Sequence, residues 1–125
     1  MANPRAPTKA VVLVVEDEPL VRMLVAGTVE EAGFDVLEAG NADEAVRILE
    51  SRPDVRIVFT DIDMPGSMDG LKLAAAIRGR WPPIEIVLTS GHRYVAAIEL
   101  PERSVFIPKP YKGDRVVETL RQLAA

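Results

Sequence analysis

Two aspartates, Asp61 and Asp63, close the apolar run V-F-T-D-I-D-M-P-G (58–66) just ahead of a turn-forming Pro-Gly pair. A second acidic group, Glu16, Asp17 and Glu18, follows the run A-V-V-L-V-V (10–15). Further along, I-E-I-V-L-T-S (84–90) ends in two hydroxyls, Thr89 and Ser90, with Gly91 behind them, and Lys109 stands between Pro108 and Pro110. If the ends of the first and third apolar runs are neighbours, the carboxylates of Glu16, Asp17 and Asp61 converge. Like charges that close cannot all ionise in a partly dry site unless a cation joins them. Hard oxygen ligands, few in number and leaving room for water, favour Mg2+ over an all-protein calcium cage. A lysine and a hydroxyl facing such a cluster are the cation and donor that a transferred phosphoryl group requires, and the carboxylate is then a nucleophile toward phosphorus. The chain has no G-x-x-x-x-G-K-S/T loop, so nucleotide binding by a P-loop is not supported.

The elements that must position these groups alternate regularly. A-V-V-L-V-V reads as a strand buried on both faces, and Pro19 suits the first turn of the helix after it. Leu20, Val21, Leu24, Val25, Thr28 and Val29 fall on one face of that helix, which Gly33 closes. D-V-L-E-A (35–39) alternates like an edge strand, and Asn41 is placed to cap a helix over 41–50 carrying Ala45, Ile48 and Leu49 on one stripe. R-I-V-F-T-D (56–61) is the third strand, and the Leu71, Leu73, Ala74 and Ile77 spacing gives a helix from Gly70 that Pro82 and Pro83 bring to an end. The run at 84–90 is a fourth strand, V-F-I (105–107) a short fifth, and 114–125 a final helix with Val116, Val117, Leu120 and Leu123 inward. Right-handed strand–helix crossovers of this kind build a doubly wound, five-stranded parallel α/β sheet, in which ligands sit outside the carboxyl ends of the strands.

The totals narrow the function further. At 125 residues the chain is one domain, and its net charge of −4 with a pI near 5.0 argues against nucleic-acid binding by bulk electrostatics. It has no cysteine, which excludes disulfides, thiolate metal sites and cysteine nucleophiles. No apolar run approaches the ~18 residues of a membrane span. Residues 1–8 read as a flexible lead rather than a signal peptide, and a cytoplasmic location is expected.

The pieces V-V-E-D-E, T-D-I-D-M-P-G, T-S-G and F-I-P-K-P-Y, in this order at successive strand ends, resemble the receiver domain of bacterial two-component response regulators. The resemblance spans residues 9–125 and implies the flavodoxin-like strand order 2-1-3-4-5. It makes Asp61 the phosphoacceptor, Asp17 a direct Mg2+ ligand, Glu16 a ligand acting mainly through water, and Asp63 a ligand through its backbone carbonyl. Lys109 would pair with the phosphoryl group, with a cis bond to Pro110, and Phe106 takes the place of the aromatic switch. The switch hydroxyl fits either Thr89 or Ser90; counting from the helix at Gly70 favours Ser90.

The implied donor is a sensor histidine kinase or a histidine phosphotransfer protein, and output goes to a downstream protein target without nucleic acid or membrane. With its end at Ala125, the chain reads as a stand-alone receiver that catalyses only its own phosphorylation and slow dephosphorylation. Two departures from the pattern stand out. M-P-G-S-M-D-G has one residue more than the common loop, and 91–106 is short, which predicts a stunted helix between the fourth and fifth strands. Asp63 and His92 each lie two positions beyond a site residue and are expected to influence hydrolysis of the aspartyl phosphate. His92, the sole histidine, otherwise reads as a loop residue, and Trp81 as packing at a helix end. The competing readings are a phosphatase or phosphotransferase of the haloacid dehalogenase type, using Asp61-x-Asp63, and a receiver-like docking module that is never phosphorylated.

Overall fold

The computed structural model describes residues 9–66, 68–91 and 100–125. Its elements are β1 (Val11–Val15), α1 (Pro19–Glu31), β2 (Asp35–Ala39), α2 (Ala42–Ser51), β3 (Val55–Asp61), α3 (Gly70–Arg80), β4 (Glu85–Ser90), β5 (Ser104–Pro108) and α4 (Gly113–Ala124). The five strands form one parallel sheet in the order β2-β1-β3-β4-β5. The helix expected between the fourth and fifth strands, together with His92, falls on 92–99, outside the described residues.

Strand composition explains the layering. β1 is buried along its whole length, and successive side chains alternate between two cores. Leu13 and Val15 join Val58, Ile86, Leu88, Leu73 and Ile77 on one face of the sheet. Val12 and Val14 join Ile57, Phe59, Val87, Ile107, Val29 and Leu120 on the other. Helix ends follow local chemistry. Asn41 accepts a hydrogen bond from the Glu44 amide at 2.8 Å, and Asp69 accepts one from Lys72 at 3.0 Å. Gly33 adopts φ +101 just past α1, as a helix terminator should.

One helical stripe divides differently from its sequence pattern. On α1, Val25, Ala26 and Val29 are buried, whereas Leu20 and Leu24 are each 66% exposed and Met23 is 59% exposed. Helical spacing identifies a face, but only the neighbouring elements determine how far along the helix that face is covered. Here α4 covers the later turns and leaves the first ones open.

Candidate functional site

The sheet register alone assembles the site. Val15 lies opposite Thr60, and Asp61 lies opposite Thr89, so Glu16 continues from β1 beside Asp61. Carboxylate oxygens of Glu16, Asp17 and Asp61 all lie within 4.8 Å of one another. Lys109 leaves the end of β5, passes Gly91 at the end of β4 and places its Nζ 2.7 Å from Asp61 Oδ2. The Asp63 amide donates to the other oxygen, Oδ1, at 2.9 Å. Asp61 is thus buried and oriented by two donors from different parts of the chain.

Burial makes the electrostatics severe. Glu16 is pushed from an ordinary carboxyl value up to about 8, first by desolvation, then by its hydrogen bond to Asp61 and the nearby charges of Asp61 and Asp17, against the pull of Lys109. Burial draws the Lys109 ammonium down, but the hydrogen bond and charge of Asp61, with Glu16 behind it, outweigh this and hold it above its usual value. Such a donor set fits a hard divalent cation: it offers three carboxylates in a small space, one of which must otherwise keep a proton.

The two hydroxyls at the end of β4 are distinguished by their partners. Ser90 Oγ donates to Asp63 Oδ2, at the rim of the site. Thr89 Oγ1 is buried without a hydrogen-bond partner among the described residues. The Asp63 carboxylate is therefore engaged by Ser90, while the Asp63 amide serves Asp61.

The description "Response regulator receiver domain" belongs to the family whose model matches residues 12–121. The chain belongs to the response regulator receiver family. The nitrogen assimilation regulatory protein NtrX of Azorhizobium caulinodans is 38% identical over 122 residues, covering 88% of this chain and 26% of that protein. The sensor kinase CckA of Brucella abortus is 36% identical over 118 residues, 91% of this chain but 12% of its own length. The chain thus spans about a quarter or less of the length of these two relatives. The crystal structure of the receiver domain of NtrX from Brucella abortus superposes with a TM-score of 0.80 at 36% identity, covering 90% of this chain and 96% of that one.

Within this receiver, Glu16, Asp17, Asp61, Asp63, Ser90 and Lys109 are brought to one rim of the sheet, as the strand-end reading required. The Lys109–Pro110 peptide is cis. Phe106 is half-buried and packs against the core on the α2–α3 side of the sheet. Sequence reading gave Gly70 only as a helix start, yet it is more than that. A Cβ there would lie 2.2 Å from the Asp61 carbonyl oxygen and 2.7 Å from Ile62 Cα. The first turn of α3 therefore rests directly on the backbone that carries Asp61, with the Gly70 amide donating to the Ile62 carbonyl at 3.0 Å. A glycine directly after the Asp69 cap, where helix propensity would favour almost any other residue, was the available signal.

Proposed function

We propose that this receiver accepts a phosphoryl group onto Asp61 from a phosphohistidine on a partner histidine kinase or histidine phosphotransfer protein. The phosphorus–nitrogen bond breaks with its electrons remaining on the imidazole, which takes up a proton, and a phosphorus–oxygen bond forms to the Asp61 carboxylate. Glu16, Asp17, Asp61 and the backbone carbonyl of Asp63 would hold Mg2+, which when bound neutralises charge on the transferring group. The Asp63 amide fixes the Asp61 carboxylate for attack. Lys109, resting on Asp61, is placed to shift onto a phosphoryl oxygen as the charge there develops. Ser90 exchanges its bond to Asp63 for one to the same phosphoryl group, and Phe106 follows as the β4–β5 side readjusts. Residues 9–125 act as one receiver unit whose role is signalling, with output through protein contacts.

The observation that carries this reading is the 2.7 Å contact of Lys109 with Asp61, inside a cluster of carboxylates drawn from β1 and β3. Stoichiometric, Mg2+-dependent labelling by acetyl phosphate is expected in the wild type and abolished in Asp61→Asn, as read by intact-protein mass. Repeated turnover of a phosphate ester, with Asp63→Asn as damaging as Asp61→Asn, would overturn it.

A macromolecular donor is supported by the surface beside the site. Val21 lines both the acidic opening and an apolar groove of about 210 Å3 shared with Leu24, Val25, Tyr111 and Val116. Leu24 in that groove is 66% exposed, and Leu20 is exposed one turn earlier on the same helix, apolar surface that a donor protein would bury. Leu24→Glu is expected to slow transfer from a phosphorylated donor protein about tenfold or more while leaving acetyl phosphate labelling unchanged, since like charge and lost burial act only on the protein encounter.

A further inference from the structure

We propose that Arg22, outside the phosphoacceptor site, positions the acidic pair that holds the cation. This inference rests on the receiver reading above and adds a residue to it. Glu16 continues the β1–β2 ladder by donating its amide to the Ala39 carbonyl at 3.1 Å. In a parallel ladder the Glu16 carbonyl would next accept from the amide two residues further along β2, that of Asn41. The chain has turned by then: β2 ends at Ala39, the Gly40 amide donates to Glu44 Oε1 at 2.6 Å, and Asn41 caps α2. Arg22 takes the missing strand's place, its Nη1 donating to the Glu16 carbonyl at 2.9 Å. Both peptide groups of Glu16 are thereby tied, and with them the directions in which Glu16 and Asp17 project toward Asp61.

The guanidinium is itself held. Its Nε lies 3.3 Å from Glu38 Oε1 on β2, and the Arg22 side chain is 23% exposed. Gly40 leaves room for it, because a Cβ there would stand 3.2 Å from Nη1. A cation in the opening turn of a helix opposes the helix dipole, a small cost that the carbonyl contact offsets. A planar fork reaching a carbonyl with one nitrogen and a carboxylate with another is a geometry that arginine supplies and lysine does not.

Charge and positioning predict opposite signs, which makes the test decisive. Removing a cation that rests on the Glu16 backbone should tighten Mg2+ binding if Arg22 acts only through its charge. If Arg22 acts by fixing the Glu16 backbone, Arg22→Met should weaken Mg2+ binding about tenfold, the usual cost of losing an outer support of metal ligands. The readout is the Mg2+ dissociation constant by isothermal titration, with thermal unfolding in EDTA to establish that the variant is folded. Acetyl phosphate labelling of the variant should recover at saturating Mg2+. Should Arg22→Met not fold, Arg22→Lys carries the same test. Weaker binding supports the proposal, and equal or tighter binding overturns it. A wild-type protein that binds no Mg2+ overturns the receiver reading along with it, so the two failures are told apart.

Discussion

Two ion pairs of the same length mark opposite ends of this sheet. Lys109 and Asp61 meet at 2.7 Å at the carboxyl ends of the strands, and Arg52 and Asp54 meet at 2.7 Å near their amino ends. The first pair includes an aspartate only 6% exposed, whereas the second is 43% and 50% exposed. In water the Arg52 fork simply draws Asp54 below its usual value. In the buried cluster the same attraction cannot satisfy every carboxylate, and Glu16 keeps a proton. Equal distances thus mean different chemistry: solvent settles the exposed pair, while the buried cluster is left short of positive charge and ready for a cation.

Deleting each cation sharpens that contrast most. Lys109→Met strands Asp61 among two other carboxylates, and a loss of about 1–3 kcal/mol is expected in metal-free denaturant unfolding, below the full cost of breaking a buried pair because Lys109 is partly exposed. Saturating Mg2+ should restore much of that loss. Arg52→Ala should leave the unfolding transition where it was, with or without Mg2+. Equal losses at the two ends would break the comparison.

A pH titration comes next. The folded protein keeps a proton on Glu16 up to about pH 8, whereas the unfolded chain releases it near the ordinary 4.5. Between these values the folded state binds more protons, so this group's contribution is full below the lower value and is lost as pH rises through the upper one. Metal-free melting temperature should therefore decline from roughly pH 5 to 8 through this group. Saturating Mg2+ replaces the proton and should flatten the decline, as should Glu16→Gln without metal. A metal-free protein equally stable across that window would show that the cluster is solvated like the Arg52 end.

Much of the site was legible in residue types. Acids after the first and third apolar runs, a hydroxyl after the fourth and a lysine caged by prolines after the fifth needed only the rule that parallel sheets gather function at their carboxyl ends. What eluded sequence reading had non-local causes. Helical spacing put Leu20 and Leu24 on the same stripe as Val25, yet α4 reaches only part of it. Gly70 gave no sign of its contact with the Asp61 backbone beyond its poor helix propensity. Arg22 looked like any polar residue on an amphipathic helix, because its partner is a carbonyl freed by the early end of β2.

By itself the sequence determined the order of the described strands and helices, the Asn41 cap and which side chains stand at strand ends, since these depend on neighbours within a turn or two of chain. Tertiary structure alone decided that Thr89 Oγ1 is buried without a partner among the described residues, that Arg22 braces Glu16, and how far burial raises the Glu16 carboxyl. Desolvation and Coulomb energies depend on distance in space, and Lys109 meets Asp61 across 48 residues of chain.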